Sequence, residues 1–388
     1  MKFIRDFNFE NKRVLVRVDF NVPVGDDGQV DETEDWRLEA VLPTIRYLLG
    51  QKAKIILLTH LGRPGGKVVE NLRLNPVAKR LEELLGRSVV KFDDCLGKEV
   101  EERVESMRGG EIFLLENLRF HIGEENNRLD FAQQLAKLGE FYINEAFGVA
   151  HRAHASIVGL PQYLPDYAGL LLEKEIKILS GALNSSKRPL VVIVGGVKIS
   201  TKINIIKNFL EKADDILLGG ALANTIISAK GFAIGKSIIE ENMVEEIKLL
   251  RITDTKLHIP VDVVASTDMS GKTAGNISPV AKIKENEIIL DIGPDTSDLF
   301  SEIISQAGTI IWNGPMGLFE MDKFILGSKK IAQAVAQSKG FSLVGGGDTI
   351  SLLERLNLLD KMGHISTGGG AMLEFLAGTE LPGLKALG

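Results

Sequence analysis

Arginine and histidine recur just beyond consecutive short apolar runs in the first half of the chain. Residues 13–18 (RVLVRV) lead into Asp19 and Asn21, and residues 54–59 (KIILLT) into His60, Leu61, Gly62 and Arg63. Residues 111–115 lead into Arg119, residues 141–145 into Arg152, and Arg37 opens an amphipathic segment. A guanidinium presents a rigid fork of donors that grips a carboxylate or phosphate at two points. Arg37, Arg63, Arg119 and Arg152 with His60 therefore suit a small, multiply charged anion. Asp19 and Asn21 are placed to accept a hydroxyl proton or to orient the guanidinium groups. Arg17 lies inside an apolar run and is expected to pair with a carboxylate, outside this group. His151 and His154 flank Arg152, poor company for a cation, and no cysteine or carboxylate cluster completes a metal site there. His154, His258 and His364 are expected to be structural.

The second half carries glycine-rich ends instead. Residues 189–194 run into Gly195-Gly196-Val197-Lys198-Ile199-Ser200-Thr201-Lys202, and residues 215–218 into Gly219-Gly220. Residues 309–312 run into Asn313 through Glu320, and residues 341–344 into Gly345-Gly346-Gly347-Asp348-Thr349. Glycines let a backbone approach a ligand, and free N–H groups at a helix start bind phosphate. Lys198 and Lys202 are expected on one helix face, reaching phosphate oxygens. Asp348 stands where a carboxylate holds Mg²⁺ on a nucleotide, and Glu320 where it accepts from ribose hydroxyls. Gly235-Lys236-Ser237 and Gly271-Lys272-Thr273 imitate the end of a phosphate loop, but Lys230 and Ser266 stand where that pattern needs glycine. The dinucleotide fingerprint is missing from the first strand–helix turn of either half, and no HRD or DFG segment is present.

Both groups need strand ends to position them. The apolar period alternates between two and 3.6 along the chain. Strands are predicted at 13–18, 54–59, 111–115 and 141–145, with helices at 37–49, from Asn75-Pro76 to Gly86, and at 129–138. Pro43 marks either a later start of the first helix or a kink. The second half predicts strands at 189–194, 215–218, 260–265, 287–291, 309–312 and 341–344. Its helices are predicted at 200–212, 221–230, 240–251, 296–306, 326–338 and 349–356. Alternation of this kind predicts an α/β chain with parallel sheets covered on both faces. Two such runs predict two doubly wound, Rossmann-like lobes joined by a hinge helix, with the boundary drawn as 1–170 and 171–371. In such sheets ligands bind beyond the carboxyl ends of the strands.

Composition bounds the rest. The 388 residues suit two domains, and 44% hydrophobic content rules out bulk disorder. A single cysteine, Cys95, excludes an intrachain disulfide and fits a reducing compartment. A net charge of −6 argues against a general nucleic-acid binder. No run of eighteen apolar residues predicts a membrane span, and the start MKFIRDFNFE reads as neither signal nor transit peptide. An anion site paired with a nucleotide-type phosphate site points to phosphoryl transfer, which is mostly positioning and charge neutralisation. No nucleophile triad and no strong general base stand out, as suits a carboxylate acceptor already ionised at pH 7. Two other readings stay open: an NAD-dependent oxidoreductase on Rossmann-like lobes, and a catalytically inactive nucleotide-binding scaffold.

RVLVRVDFNVP at 13–23, THLGRP at 59–64, ENLRF at 116–120 and EAFGVAHRAH at 145–154 resemble the phosphoglycerate kinase family. So do VGGVKISTK at 194–202, WNGPMGLFE at 312–320, GGGDT at 345–349 and STGGGA at 366–371, in the family's order and over nearly the whole chain. The resemblance implies reversible phosphoryl transfer from 1,3-bisphosphoglycerate to ADP, giving 3-phosphoglycerate and ATP, with Mg²⁺, in the cytoplasm. By position it implies that Asp19, Asn21, Arg37, His60, Leu61, Gly62, Arg63, Arg119 and Arg152 bind 3-phosphoglycerate. It assigns Lys198, Lys202, Gly219, Asn313, Glu320, Gly346, Gly347, Asp348 and Thr349 to the nucleotide. Arg37, Lys202 and the helix start at Gly369-Gly370 are then expected to stabilise the phosphoryl group in flight. It further implies a monomer, lobes that close over the substrates, and a tail of about 372–388 packed on the first lobe. Val149 and Val197 depart from the family pattern, and neither position supplies a charge.

Overall fold

The structure is a computed structural model that describes residues 1–25, 27–31, 35–249 and 254–388. The helix predicted at 240–251 runs at its end into residues 250 and 251, which lie outside the described residues. The chain divides into two compact units, Met1–Leu179 with Thr379–Gly388, and Ser180–Gly378. The division falls inside the helix Leu170–Asn184, at 179/180 and not at 170/171. The segment that returns to the first unit starts at 379 and not at 372. The reason is the helix Gly369–Ala377, which packs on a strand and a helix of the second unit, with Lys212 Nζ donating to Ala377 O at 2.7 Å.

The first unit holds a six-stranded parallel sheet. Its strands are β1 (Arg13–Arg17), β2 (Lys54–Leu58), β3 (Val90–Lys91), β4 (Ile112–Leu114), β5 (Phe141–Asn144) and β6 (Asp166–Ala168), in the order β3-β4-β2-β1-β5-β6. Four of the five residues of β1 and of β2 are buried, which is why these strands read as continuous apolar runs and not as alternation. The helix Trp36–Gly50 runs through Pro43, which lies on its exposed face. Asn75 is the first residue of its helix and makes no side-chain cap, while Gly86 ends that helix in the left-handed region at φ 62°.

The second unit carries β7 (Leu190–Val194), β8 (Asp215–Leu218), β9 (Leu257–His258), β10 (Asp262–Ser266), β11 (Asn276–Pro279), β12 (Ile288–Ile292), β13 (Thr309–Asn313), β14 (Phe341–Gly345) and β15 (His364–Ser366). Six of them form a parallel sheet, β15-β14-β13-β7-β8-β9, and three form a separate antiparallel sheet, β11-β10-β12. The strands predicted at 260–265 and 287–291 thus leave the main sheet. Residues 267–275 between β10 and β11 are too few for the crossover that a parallel pair requires. The small sheet buries Val263 and Ala265 against Ile227, Val280 and Ile283.

Candidate active site

At the carboxyl ends of β1, β2, β4 and β5 the first unit gathers its cations. The Arg17 side chain is fully buried, and its Nη2 stands 3.8 Å from Glu124 Oε1, the carboxylate partner expected for it. Its Nε donates to Ser156 Oγ at 2.7 Å, and Ser156 donates in turn to Glu124 through N and Oγ at 2.9 and 2.6 Å. Arg17 Nη2 also lies 3.2 Å from His60 Nδ1. Guanidinium only donates, so His60 Nδ1 must accept and its proton sits on Nε2. Burial, followed by Arg17, Arg119, His154 and Arg37, pushes the His60 pKa well down, so the ring is a neutral donor. Arg17 belongs to the site as its support, which the sequence reading left out.

Arg37 Nη1 meets Asp19 Oδ2 at 2.5 Å, and Asn21 Oδ1 accepts from Gly62 N at 2.8 Å. Arg119 is buried and donates through Nη1 to Gly62 O at 2.7 Å. Asn117, buried one strand end away, accepts from Leu61 N at 3.2 Å and donates to Leu61 O at 2.8 Å, holding the His60–Arg63 loop. Arg63 is exposed, and Arg152 Nε donates to His151 Nε2 at 3.3 Å. Among the described residues Arg119 Nε, His151 Nδ1 and His154 Nδ1 are buried without a hydrogen-bond partner, although Arg119 Nε stands 3.4 Å from Glu125 Oε1 in an ion pair. Desolvation, then Arg17, lowers the Arg119 pKa to about 10. Desolvation, then Arg152, lowers His151 to about 4, and desolvation, then Arg17, Arg119 and Arg152, lowers His154 to about 3. These groups repel one another's positive charge. His154 therefore faces the same cationic field as His60, and His151 lies beside Arg152 at its edge.

In the second unit the strand ends meet through their backbones. Gly195 N donates to Asn313 O at 2.9 Å, Gly196 N to Pro315 O at 3.1 Å and Gly220 N to Met316 O at 2.7 Å. A Cβ on Gly195 would lie 2.0 Å from Pro315 O, so no larger residue fits between the β7 and β13 loops. Asn313 Nδ2 donates to Gly345 O at 2.8 Å and Gly369 O at 3.3 Å, and Thr349 Oγ1 accepts from Gly314 N at 2.7 Å. Asn313 and Thr349 thus hold the loops that carry Gly346, Gly347 and the Gly369-Gly370 helix start. Gly219, beside Gly220, bonds back to Val194 O at 3.1 Å.

The helix predicted at 200–212 begins at Ile203, because residues 198–202 form turns. Lys198 and Lys202 therefore lie in the loop before it, not on one helix face. Lys202 Nζ donates to Gly195 O at 2.6 Å, and Lys198 is exposed. Desolvation lowers the Lys202 pKa to about 8, opposed by the Asp348 charge. Asp348 and Glu320 line a cleft together with Gly196, Gly220 and Asn224. Its far wall is apolar and comes from the small antiparallel sheet: Val263, Ile288 and Ile289. Buried Asp291 also lines it. Its carboxylate accepts from Gly327 N at 2.6 Å and Ile292 N at 2.9 Å, yet burial pushes its pKa up to about 8. The two imitation phosphate loops are glycine turns, with φ 57° at Gly235 and 73° at Gly271.

The cleft joins an apolar slot to the helix starts at Gly220 and Gly347 and to two exposed carboxylates, Glu320 and Asp348. One or two carboxylates suit Mg²⁺ that arrives already on phosphate oxygens. Among the described residues no helix is long and apolar enough to cross a membrane.

Residues 4–379 match the family model for phosphoglycerate kinase. The chain is 49% identical over 388 residues to a phosphoglycerate kinase of Moorella thermoacetica, covering 99% of this chain and 98% of the relative. It is 48% identical to that of Dictyoglomus turgidum, covering 99% and 97%. The solved phosphoglycerate kinase of Pyrococcus horikoshii superposes with a TM-score of 0.88 at 36% identity, covering 100% of this chain and 98% of that one. That of Coxiella burnetii gives 0.82 at 38%, covering 99% and 98%.

Proposed function

The chain belongs to the phosphoglycerate kinase family of glycolytic phosphotransferases, and from that premise we propose that it moves a phosphoryl group reversibly between 1,3-bisphosphoglycerate and ADP, giving 3-phosphoglycerate and ATP. The observation that carries this reading is the convergence of cations in the first unit. Arg37, Arg119 and Arg152 come together around His60 and His151; Asp19 pairs with Arg37 and Glu125 with Arg119, while His151 Nδ1 is buried without a hydrogen-bond partner among the described residues. An anion with several charged oxygens supplies what they lack.

In this reading His60 donates its Nε2 proton as a hydrogen bond to the anion, and Asp19 and Asn21 hold Arg37 and Gly62 in place. Leu61 and Gly62 contribute backbone, with Arg63 at the open side. The acceptor is a carboxylate, so no side chain removes a proton. Lys198, Lys202 and the N–H groups at Gly346, Gly347 and Gly369-Gly370 take nucleotide phosphates, Gly219 and Asn313 shape the floor, and Glu320 takes the ribose. Mg²⁺, held by Asp348 through the nucleotide, supplies charge neutralisation. Arg37 and Lys202 stabilise the charge that develops on the transferring group. Direct transfer needs both substrates in one place, so closure of the two units belongs to the reading. So do a monomer, a cytoplasmic site, and a first unit completed by the C-terminal segment.

The test is ATP consumption with 3-phosphoglycerate and Mg²⁺, coupled to NADH oxidation by added glyceraldehyde-3-phosphate dehydrogenase. Turnover that vanishes without 3-phosphoglycerate, and on chelation of Mg²⁺, is expected. No turnover from a folded, ATP-binding sample overturns the reading in favour of an inactive scaffold. Solution scattering with both substrates is expected to show compaction, and sedimentation a single-chain mass.

A further inference from the structure

One group of donors in the first unit has no part in phosphoryl transfer. Asp94, Cys95 and His121 each offer one ligand atom, and the three atoms lie within 4.8 Å of one another. Asp94 and Cys95 follow β3, and His121 ends the 3-10 turn Leu118–Phe120 beyond β4. β3 and β4 pair in parallel at the sheet edge, so both segments leave the same end of it. His121 Nε2 stands 2.7 Å from Asp94 Oδ1, and its ring rests against Phe131 at 5.5 Å between centroids. The Asp94 carboxylate also accepts from Cys95 N at 2.6 Å. Cys95 is buried, whereas Asp94 is exposed and His121 partly so. The group has a dry inner ligand and a solvent-facing mouth.

The charge around it favours a cation. The Asp94, Glu124 and Glu116 carboxylates all act on the Cys95 sulfur and give it a negatively charged surrounding that attracts a cation. Lys91, the nearby ammonium, is engaged by Asp93 at 3.2 Å and Glu116 at 2.6 Å. We propose that Asp94, Cys95 and His121 form a binding site for a thiophilic divalent cation of the Zn²⁺ class, with a fourth position open to water. One sulfur, one imidazole and one carboxylate match the ligand preferences of such an ion. Bonds of ~2.0–2.3 Å place tetrahedral donors roughly 3.3–3.8 Å apart. Rotation of the solvent-facing Asp94 and His121 side chains closes the present spread. On binding, the thiol gives its proton to solvent and the thiolate ligates the ion. Mg²⁺, a hard cation that keeps oxygen ligands, does not compete.

The test is titration of the full chain, free of nucleotide, with Co²⁺ in excess Mg²⁺. Expected are one Co²⁺ per chain, a sulfur-to-cobalt charge-transfer band, tetrahedral d–d intensity, and displacement by Zn²⁺. Cys95→Ser should abolish the charge-transfer band. His121→Gln, at a partly exposed position that leaves the core intact, should weaken binding by at least the roughly 10- to 100-fold that even outer partners of a metal ligand cost. Binding without the thiolate band, or equal binding by His121→Gln, overturns the proposal. So does the absence of binding to the folded wild-type chain.

Discussion

The anion site of the first unit is written in side chains: Arg17, Glu124 and Ser156 form a buried frame that fixes His60, and Asn117 fixes the loop that carries Arg63. The candidate nucleotide cleft of the second unit is written mostly in main chain: glycines at 195, 314 and 369 meet other backbones closer than any Cβ allows, and Gly346 meets the Asn313 side chain. The first kind of site fails when a group is taken away. The second fails when a group is added. A phosphoryl transferase on this plan grips its small substrate by charge and its large one by shape.

The largest effect is expected from removing charge in the first unit. Arg37→Ala should cost ~2–4 kcal/mol of transition-state stabilisation, about 30- to 1000-fold in kcat/KM, with the melting curve little changed. Full turnover by this variant would break the comparison at its strongest point. In the second unit, Gly195→Ala adds a single methyl, which would meet Pro315 O at 2.0 Å. A stability loss of about 1–3 kcal/mol and weakened nucleotide binding are expected from urea denaturation and nucleotide titration. An unaffected variant would mean that the β7 and β13 loops yield without cost.

The two sites also differ in pH dependence. The Lys202 pKa is lowered to about 8, so the free enzyme loses this cation as pH rises through that value. kcat/KM for the nucleotide should bend downward near pH 8, and Lys202→Arg should move the bend upward. In the first unit, folded His151 and His154 stay neutral down to about pH 4 and 3, while the unfolded chain takes protons from about 6.5. Stability is therefore lost as pH falls through that window. In the second, Asp291 keeps its proton up to about 8 when folded, so stability is lost as pH rises from the ordinary carboxylate range towards 8. Glu145, buried in the first unit and raised to about 7, adds to that alkaline slope. Urea midpoints across pH should show a flatter acid limb for His154→Gln and a flatter alkaline limb for Asp291→Asn. The smallest effect is expected from His258→Gln, which breaks a partly exposed 2.7 Å pair with Asp215. Such a pair is worth about 0–1 kcal/mol.

The same contrast governs what the sequence disclosed. The alternation of strands and helices made the fold class legible, and recurrence of cations at strand ends drew attention to Arg37, Arg119 and His60, which the fold brings together. Arg17 escaped because its role appears only when the fold brings Ser156 and Glu124 to it. His151 escaped because its importance is a field effect from neighbours distant in the chain. The glycines of the cleft were visible, but its apolar wall was not. The runs at 260–265 and 287–291 look like buried parallel strands, and only the short link at 267–275 betrays an antiparallel sheet. The turn at 198–202 likewise defeats a helical reading of Lys198 and Lys202, since apolar spacing does not mark where the first helical residue falls.

The division of the chain makes one unit depend on a segment that the other does not need. Residues 180–378 lie wholly in the second unit, and Thr379–Gly388 belongs to the first. Gly383 N bonds to Ala150 O at 2.8 Å, Gly388 N to Asp166 Oδ1 at 3.1 Å, and Leu381 and Leu387 are buried. In a chain cut back to residue 378 the second unit keeps its whole sequence, while the first is left with an apolar seam uncovered. Ala150 and Asp166 flank that seam, and Arg152, an arginine of the anion site, lies between them in sequence. Residues 379–388 thus complete the packing beside an arginine of the candidate anion site, and a chain truncated after residue 378 is expected to bind nucleotide without turning over.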